Sequence, residues 1–292
     1  MKGIIMAGGL GSRLFPTTKS INKHLIPIYD KPMIYYPLST LMQFGIEDIT
    51  LISTPGAIDM FRELLGDGER FGISIRYFVQ KEPRGIAEAF PIASDFLGND
   101  DVCLILGDNI FYIDPYIEKI KEQTLRNKDC ASILCRSVRN PKEYGVVELS
   151  RDGRVLSLVE KPSDPKSNQA VVGLYFYPND VVKKANTLKF SNRNELEITD
   201  LNKLYMDEGR LNVIKMTKNC AWFDAGTVES YIRASNFVRH FQIAGNQMLS
   251  CPEEIALIRG YIGKSELAST IKAVGFENYY LRHLKEIFGR DV

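Results

Sequence analysis

Gly3-Ile4-Ile5-Met6-Ala7-Gly8-Gly9-Leu10-Gly11-Ser12-Arg13-Leu14 opens with an apolar run that breaks directly into a glycine-rich loop. The unbroken run Gly3–Ala7 predicts a strand buried on both faces rather than one that alternates between core and solvent. In the loop, glycine lets the backbone pass close to a ligand and adopt positive φ. Successive N–H groups can then converge on phosphate oxygens, and Arg13 adds a planar cationic fork at the loop's end. Two familiar phosphate loops do not fit. A GxxxxGK[ST] loop needs a lysine that is missing here, and Gly9-Leu10-Gly11-Ser12-Arg13-Leu14 lacks the third glycine of GxGxxG. Taken alone, the stretch also suits a tight strand-to-helix turn with a solvated arginine.

Working outward, apolar runs alternate with amphipathic segments. Ile49–Ser53, Ser74–Val79 and Val102–Leu106 predict further strands, and Ala57–Leu65 a helix. Pro32 suits the first turn of a helix that reaches Phe44 and stops at Gly45. Ile86–Leu97 reads as a helix that Pro91 must kink or shorten. This alternation predicts an α/β fold, a Rossmann-like, mostly parallel mixed sheet with helices on both faces. The middle of the chain changes to the strand-like Ala131–Val138, Gly145–Leu149, Val155–Glu160 and Val171–Tyr177, with Asp152-Gly153 as a hairpin turn. Leu196–Asp207 and Val228–Ala244 read as helices. After Pro252 only short helices are expected, at Glu253–Arg259, Ser265–Val274 and Tyr279–Phe288. No linker or repeat interrupts the pattern, so one α/β domain with a helical C-terminal appendage is expected.

Composition excludes several function classes. The 292 residues carry 37 Lys plus Arg against 36 Asp plus Glu, a net charge of +1. That balance gives no global attraction to nucleic acid or to an anionic membrane, so phosphate binding must come from local charge. No apolar stretch approaches the roughly 18 residues of a membrane span, and the N-terminus lacks a signal-peptide core. The five cysteines show neither a CxxC pair nor metal-finger spacing. Their scatter points to a reducing compartment, and a cytoplasmic location is expected. His240 and His283 fall in helical contexts and read as packing or surface residues.

Three further places carry chemistry. Gln80 and Gly85, in Gln80-Lys81-Glu82-Pro83-Arg84-Gly85, offer an amide with one donor side and one acceptor side for a base edge, and room for a flat ring. The alternative is a polar strand end and a turn. Asp108 follows a predicted strand, where open α/β sheets bind ligands. Asp224, in Trp222-Phe223-Asp224-Ala225-Gly226-Thr227, is a second carboxylate far along the chain. Two such carboxylates plus phosphate oxygens suit Mg²⁺; singly, each also reads as a turn or capping residue. Glu160-Lys161 offers a hydroxyl acceptor beside a phosphate-gripping cation, or simply an exposed ion pair worth ~0–1 kcal/mol.

Together these segments resemble a known family. AGGLGSRLFPTT (residues 7–18) and KHLIPIYDKPMIYYPLSTLMQFGI (23–46) are similar to the N-terminal signature of the sugar nucleotidyltransferases, and most similar to their thymidylyltransferase branch. QKEPRGIA, GDN, YGVVE, EKP, AVVGLYFY, ELEITD, WFDAGT and CPEEIA follow in the family's order, so the resemblance spans essentially the whole chain. It implies transfer of a deoxythymidylyl group from dTTP to α-D-glucose 1-phosphate, releasing pyrophosphate. UTP or another sugar 1-phosphate is the alternative, and a non-catalytic sugar-nucleotide sensor a more remote one. The resemblance implies nucleotide contacts from Gly8, Gly9, Gly11, Ser12, Arg13, Lys23, His24, Gln80, Gly85 and Asp108. On the sugar-phosphate side it implies Asn109, Gly145, Glu160, Lys161, Val171, Tyr175 and Arg193. Asp108 and Asp224 are the implied Mg²⁺ ligands, with Arg13, Lys23 and Lys161 acting on the reacting phosphates. It further implies a catalytic domain over residues 1–240, with a nucleotide half to about 110 and a sugar-phosphate half beyond, a 241–292 appendage making oligomer contacts, and a homotetramer. The chain departs from the family pattern at Leu10, Ser12, Phe15, His24 and Val172.

Overall fold

The computed structural model describes residues 1–245, 247–274 and 276–289, with only the backbone of Pro115. Its numbered strands are β1 (Lys2–Ala7), β2 (Asp48–Ser53), β3 (Ser74–Val79), β4 (Val102–Leu106), β5 (Asn109–Tyr112), β6 (Ala131–Ser137), β7 (Gly145–Leu149), β8 (Val155–Glu160), β9 (Gln169–Tyr177), β10 (Leu211–Lys215) and β11 (Ala221–Asp224). The longer helices are α1 (Tyr35–Gln43), α2 (Ile58–Leu65), α3 (Ile117–Arg126), α4 (Ile198–Asp207), α5 (Val228–Gly245), α6 (Pro252–Ile258), α7 (Lys264–Val274) and α8 (Tyr279–Phe288).

β1 is central because its apolar run is buried on both faces. It pairs in parallel with β2 and with β4, Ile4 standing opposite Thr50 on one side and Leu104 on the other. Strand side chains alternate faces. Ile5 and Ala7 therefore join one core with Leu38, Leu41 and Phe61, while Ile4 and Met6 join another with Phe90 and Tyr177. β3 extends the parallel set beyond β2.

The second half is antiparallel around β9, which pairs with β4 through Leu174–Tyr177 and with β6 and β7 elsewhere. β8 folds back on β7, and β10 runs parallel to β6. The result is one mixed, nine-stranded sheet with helices on both faces. Its parallel strands end at the glycine loop, and its antiparallel strands wall the adjoining space.

Several boundaries differ from the sequence expectation. Pro32 is not in a helix: Lys31–Pro32 bridges to Pro27–Ile28. Met33 N and Ile34 N donate to the carbonyls of Ile26 and His24, which keeps this segment out of the helix until Tyr35. Pro37 takes the helix's first turn instead, where its missing N–H leaves no intrahelical bond unmade. Gly45 does end the helix, at φ 82°. The Ile86–Leu97 segment divides into a 3₁₀ turn and two helices of four residues each, Ala89–Ile92 and Ser94–Leu97. α3, β5, β10 and β11 were not anticipated.

α6, α7 and α8 pack on the face that carries α1. Leu257, Leu267, Leu281 and Leu284 share a core with Leu41, Met42 and Phe71, and the Tyr35 ring meets both Phe71 and Tyr280 edge-on. No helix among the described residues is long and apolar enough to cross a membrane.

Candidate active site

The loop after β1 is held by side chains that follow it. Thr18 Oγ1 donates to Gly11 O at 2.8 Å, and Gly11 takes φ 65°. Asn22 caps a 3₁₀ turn, its Oδ1 accepting from His24 N at 3.0 Å while its Nδ2 reaches Ala7 O at 3.3 Å. That turn aims Lys23 back across the loop. A Cβ on Gly9 would sit 3.1 Å from Lys23 Nζ, so any larger residue there would crowd the ammonium. Lys23 Nζ also pairs with Asp108 Oδ2 at 2.5 Å. His24 is buried, with its ring against Gly107. Burial first, and then the Lys23 charge, push its pKa down to about 3, so the imidazole is neutral.

Gln80, at the end of β3, is buried and uses both hydrogens of its amide nitrogen, on Gly85 O (3.0 Å) and Glu88 Oε2 (2.8 Å). Its Oε1 is turned toward Gly8, where an added Cβ would lie 2.7 Å from it. Gly8, Gly9, Lys23, His24, Gln80, Gly85, Asp108 and Arg193 together line a cavity of about 310 Å³. Gly11 and the exposed Ser12 line neither this cavity nor the next one described.

The two aspartates meet across a ladder of two short strands. β5 pairs antiparallel with β11, setting Asn109 opposite Asp224, and Ala225 N donates to Asp108 O at 2.9 Å. The carboxyls are electrostatically opposed. Burial works against ionised Asp108, but Lys23 and the neighbouring hydrogen bonds win and hold it well below the usual carboxylate range. Burial, and then the charge of Asp108, push Asp224 up to about 6, only partly offset by Arg13 and Lys23. The Arg13 guanidinium lies beside Asp224, since a Cβ on Gly226 would fall 2.7 Å from Arg13 Nη2 and 2.9 Å from Asp224 Oδ1. Asn109 is buried and ties these parts together. Its Oδ1 accepts from Gly173 N (3.0 Å) and Trp222 Nε1 (2.6 Å), while its Nδ2 donates to Asp108 Oδ1 (2.9 Å).

A second cavity, about 220 Å³, adjoins the first and shares Ile86, Leu106 and Asp108 with it. It is lined by Gly145, Glu160, Lys161, Val171, Tyr175, Asn109, Asp224 and Arg13. Thr199 Oγ1 donates to Glu160 Oε2 at 2.5 Å, and a Cβ on Gly145 would lie 3.0 Å from that hydroxyl. Lys161 adopts φ 42°, a left-handed conformation that costs a non-glycine residue of order 1 kcal/mol. It sits at the end of β8 with its ammonium 4.0 Å from Glu160 Oε1. Arg193 reaches Glu160, Glu195 and Glu197 at 3.5, 2.9 and 3.5 Å.

Apart from Gly11 and Ser12, the implied site residues thus line the two cavities that meet at Asp108. Arg13 lines the smaller cavity, beside Asp224, and Arg193 the larger one. Asn22, Glu88, Thr199 and Trp222 were missed by sequence reasoning, as was Tyr144, which lines the smaller cavity. Trp222 and Thr199 lie within motifs already singled out, so asking what holds Asp224 and Glu160 would have found them. Nothing local in the sequence marks Asn22.

Residues 2–240 match the family model described as nucleotidyl transferase. A glucose-1-phosphate thymidylyltransferase of Neisseria meningitidis is 48% identical over 289 residues, 98% of this chain and 100% of that one. Its counterpart from Mycobacterium tuberculosis is 46% identical over 288 residues, 98% and 99% of the two chains. A Bacillus anthracis structure with sucrose, described as that of a glucose-1-phosphate thymidylyltransferase, superposes with a TM-score of 0.74 at 43% identity, covering 82% of this chain and 95% of that one. A UDP-glucose pyrophosphorylase bound to UDP-glucose shares the fold, with a TM-score of 0.73 at 24% identity over 82% and 98% of the two chains. The chain belongs to the nucleotidyl transferase family, among the glucose-1-phosphate thymidylyltransferases.

Proposed function

We propose that this chain transfers the deoxythymidylyl group of dTTP to α-D-glucose 1-phosphate, forming dTDP-glucose and pyrophosphate. The observation that carries this reading is the pair of adjoining cavities that share Asp108, with Arg13, Lys23, Lys161 and Arg193 around them. An oxygen of the sugar phosphate attacks the α-phosphorus of dTTP. The bond from that phosphorus to the bridging oxygen breaks, and pyrophosphate leaves with its electron pair. The attacking oxygen is already anionic, so neither a protein nucleophile nor a strong general base is required.

The obstacle is repulsion. Two unit charges ~4 Å apart repel by about 4 kcal/mol at an effective dielectric of 20, and each substrate carries several. Lys161 offsets this on the sugar phosphate and Lys23 on the triphosphate and departing pyrophosphate, and Arg13, beside Asp224 in the smaller cavity, can act on both. Arg193, salt-bridged to Glu160 yet lining the larger cavity, can serve both substrates. Fixed cations in a partly dehydrated cleft need little reorganisation during the reaction, and alignment supplies further acceleration.

Asp108 and Asp224 are suited to hold Mg²⁺. Both donors are hard carboxylate oxygens, and the mutual opposition that raises the Asp224 carboxyl is what a divalent cation would relieve. When bound, the ion supplies positive charge to the phosphate oxygens.

Base choice follows from Gln80. With both Nε2 hydrogens engaged, its Oε1 is the available group. A carbonyl acceptor complements the N3–H of thymine or uracil and opposes the unprotonated N3 of cytosine. Thymine's extra methyl is worth ~0.8 kcal/mol when buried, about a fourfold preference over uracil. On the sugar side, Glu160 held by Thr199 is an oriented hydroxyl acceptor. A homotetramer is supported by the exposed apolar Val228, Ile232 and Ile243 on α5 and Phe276 near α8.

The test is pyrophosphate release across a matrix of nucleoside triphosphates and sugar 1-phosphates. dTTP with glucose 1-phosphate should be the best pair, UTP weaker and CTP poorest. Activity peaking elsewhere, or release without sugar phosphate, would refute the reading.

A further inference from the structure

The C-terminal helices collect a second set of metal-type donors, remote in character from the all-oxygen pair in the cleft. Cys251 is the N-cap of α6, Glu254 lies in the first turn of that helix, and His283 projects from α8. The Cys251 sulfur, a Glu254 carboxylate oxygen and a ring nitrogen of His283 all lie within 4.8 Å of one another. Cys251 is 1% exposed and His283 8% exposed. We propose that Cys251, Glu254 and His283 form a binding site for a borderline-soft divalent cation of the Zn²⁺ type, which fastens α8 to α6.

The donor chemistry selects the ion. A thiolate, an imidazole and one carboxylate suit Zn²⁺, whereas Mg²⁺ takes hard oxygen ligands. Zn–S of ≈ 2.3 Å and Zn–N or Zn–O of ≈ 2.0–2.1 Å set donor separations of roughly 3.3–3.6 Å in a tetrahedron. His283 Nε2 and Glu254 Oε2 are already 2.9 Å apart, and with all three donor atoms within 4.8 Å of one another the sulfur would have to move by at most about 1.5 Å. Those two groups also form an ion pair whenever the histidine is protonated, and a metal would replace that pairing.

The surroundings complete the case. Cys251 Sγ lies 3.3 Å from Tyr280 Oη and 3.8 Å from Glu253 Oε2, and Tyr280 donates to the same Glu253 oxygen. Glu254 is paired with His283 from α8. The nearby buried ammonium of Lys31 is turned to Asp30 at 2.7 Å and Gln242 at 3.2 Å. Glu254 keeps 17% of its side chain exposed, which provides an entry path and room for a water as fourth ligand. α6 and α8 both sit on the core of the nucleotide half, so the ion would brace that packing rather than enter the reaction.

Cobalt titration of the metal-stripped full chain is the test, because a thiolate ligand gives Co²⁺ a near-ultraviolet charge-transfer band that carboxylates cannot give. One equivalent should produce that band together with the visible bands of a tetrahedral site. Excess Mg²⁺ should not displace it, and D224N should leave it unchanged. C251S should abolish the band, and H283Q should weaken binding ~10-fold or more. Zn²⁺ should raise the melting temperature of the wild-type chain and not that of C251S. Absence of a thiolate band in the wild-type chain, its persistence in C251S, or its displacement by Mg²⁺ would overturn the proposal. The wild-type titration decides the matter even if a variant fails to fold.

Discussion

The two cavities that meet at Asp108 are built by different means. The larger is made where parallel strands end, from backbone and glycines: Gly8, Gly9 and Gly85 approach so closely that a Cβ would strike Gln80, Lys23 or Leu196. The smaller is made from side chains on antiparallel strands and α4, with Glu160 steered by Thr199 and Lys161 at the end of β8. Under the proposed function, recognition of the nucleotide would depend on space for backbone approach, and recognition of the sugar phosphate on the orientation of individual groups. Changes in the two regions should separate kinetically.

Truncating a sugar-side cation should have the largest effect. Lys161→Ala should lower kcat/KM for glucose 1-phosphate ~10²–10³-fold while leaving the KM for dTTP nearly unchanged, because a charge aimed at the transition state is lost. Steady-state kinetics with each substrate varied would check this, and a parallel rise in both KM values would break the comparison. Thr199→Val should raise the KM for glucose 1-phosphate about 10-fold, as expected from losing a hydrogen bond to a charged group. On the other side, Gly9→Ala places a methyl 3.1 Å from Lys23 Nζ. It should raise the KM for dTTP by ~3–10-fold and leave that for the sugar phosphate alone, the mirror image of Thr199→Val.

The carboxylate pair adds a pH signature. A protonated Asp224 must lose its proton to bind a metal, so apparent Mg²⁺ affinity should fall about tenfold per pH unit below about 6 and level off above it. In the metal-free chain the raised pKa works against folding as pH increases. The unfolded carboxyl ionises near 4, the folded one near 6, and stability is lost between the two. Calorimetric Mg²⁺ titrations at pH 5, 6 and 7.5 read the first effect, and a flat profile would mean that Asp224 is not a ligand. The smallest change is expected for Trp222→Phe, which removes the indole donor to Asn109 and so loosens Asp108 indirectly. A ~3-fold lower kcat with unaltered KM values is anticipated.

The sequence reveals what periodicity and local chemistry encode. β1 is apolar from Gly3 to Ala7 and β4 throughout, and the glycine loop advertises close approach, so the parallel half of the sheet is readable from one end of the chain. The meeting of Asp108 and Asp224 rests on β5 and β11, two four-residue strands more than a hundred positions apart, too short to impose a pattern. Only the resemblance brought those carboxylates together in advance. The placement of Arg13 and Arg193 was also hidden, because a long side chain can reach either cavity from the same backbone position. α3 escaped notice because its helical face is narrow, with only Ile117 and Ile120 buried among charged residues. The Cys251–Glu254–His283 cluster joins residues from two helices, so counting cysteine spacings along the chain could not find it.

The most direct test of the account is the stereochemical course at the α-phosphorus, followed with dTTP that carries a single chiral sulfur at that position. Direct attack by the sugar phosphate across the shared Asp108 predicts inversion of configuration in the dTDP-glucose product. Retention would require two displacements through an enzyme-bound nucleotidyl group, and would contradict a site that works by bringing two anions together.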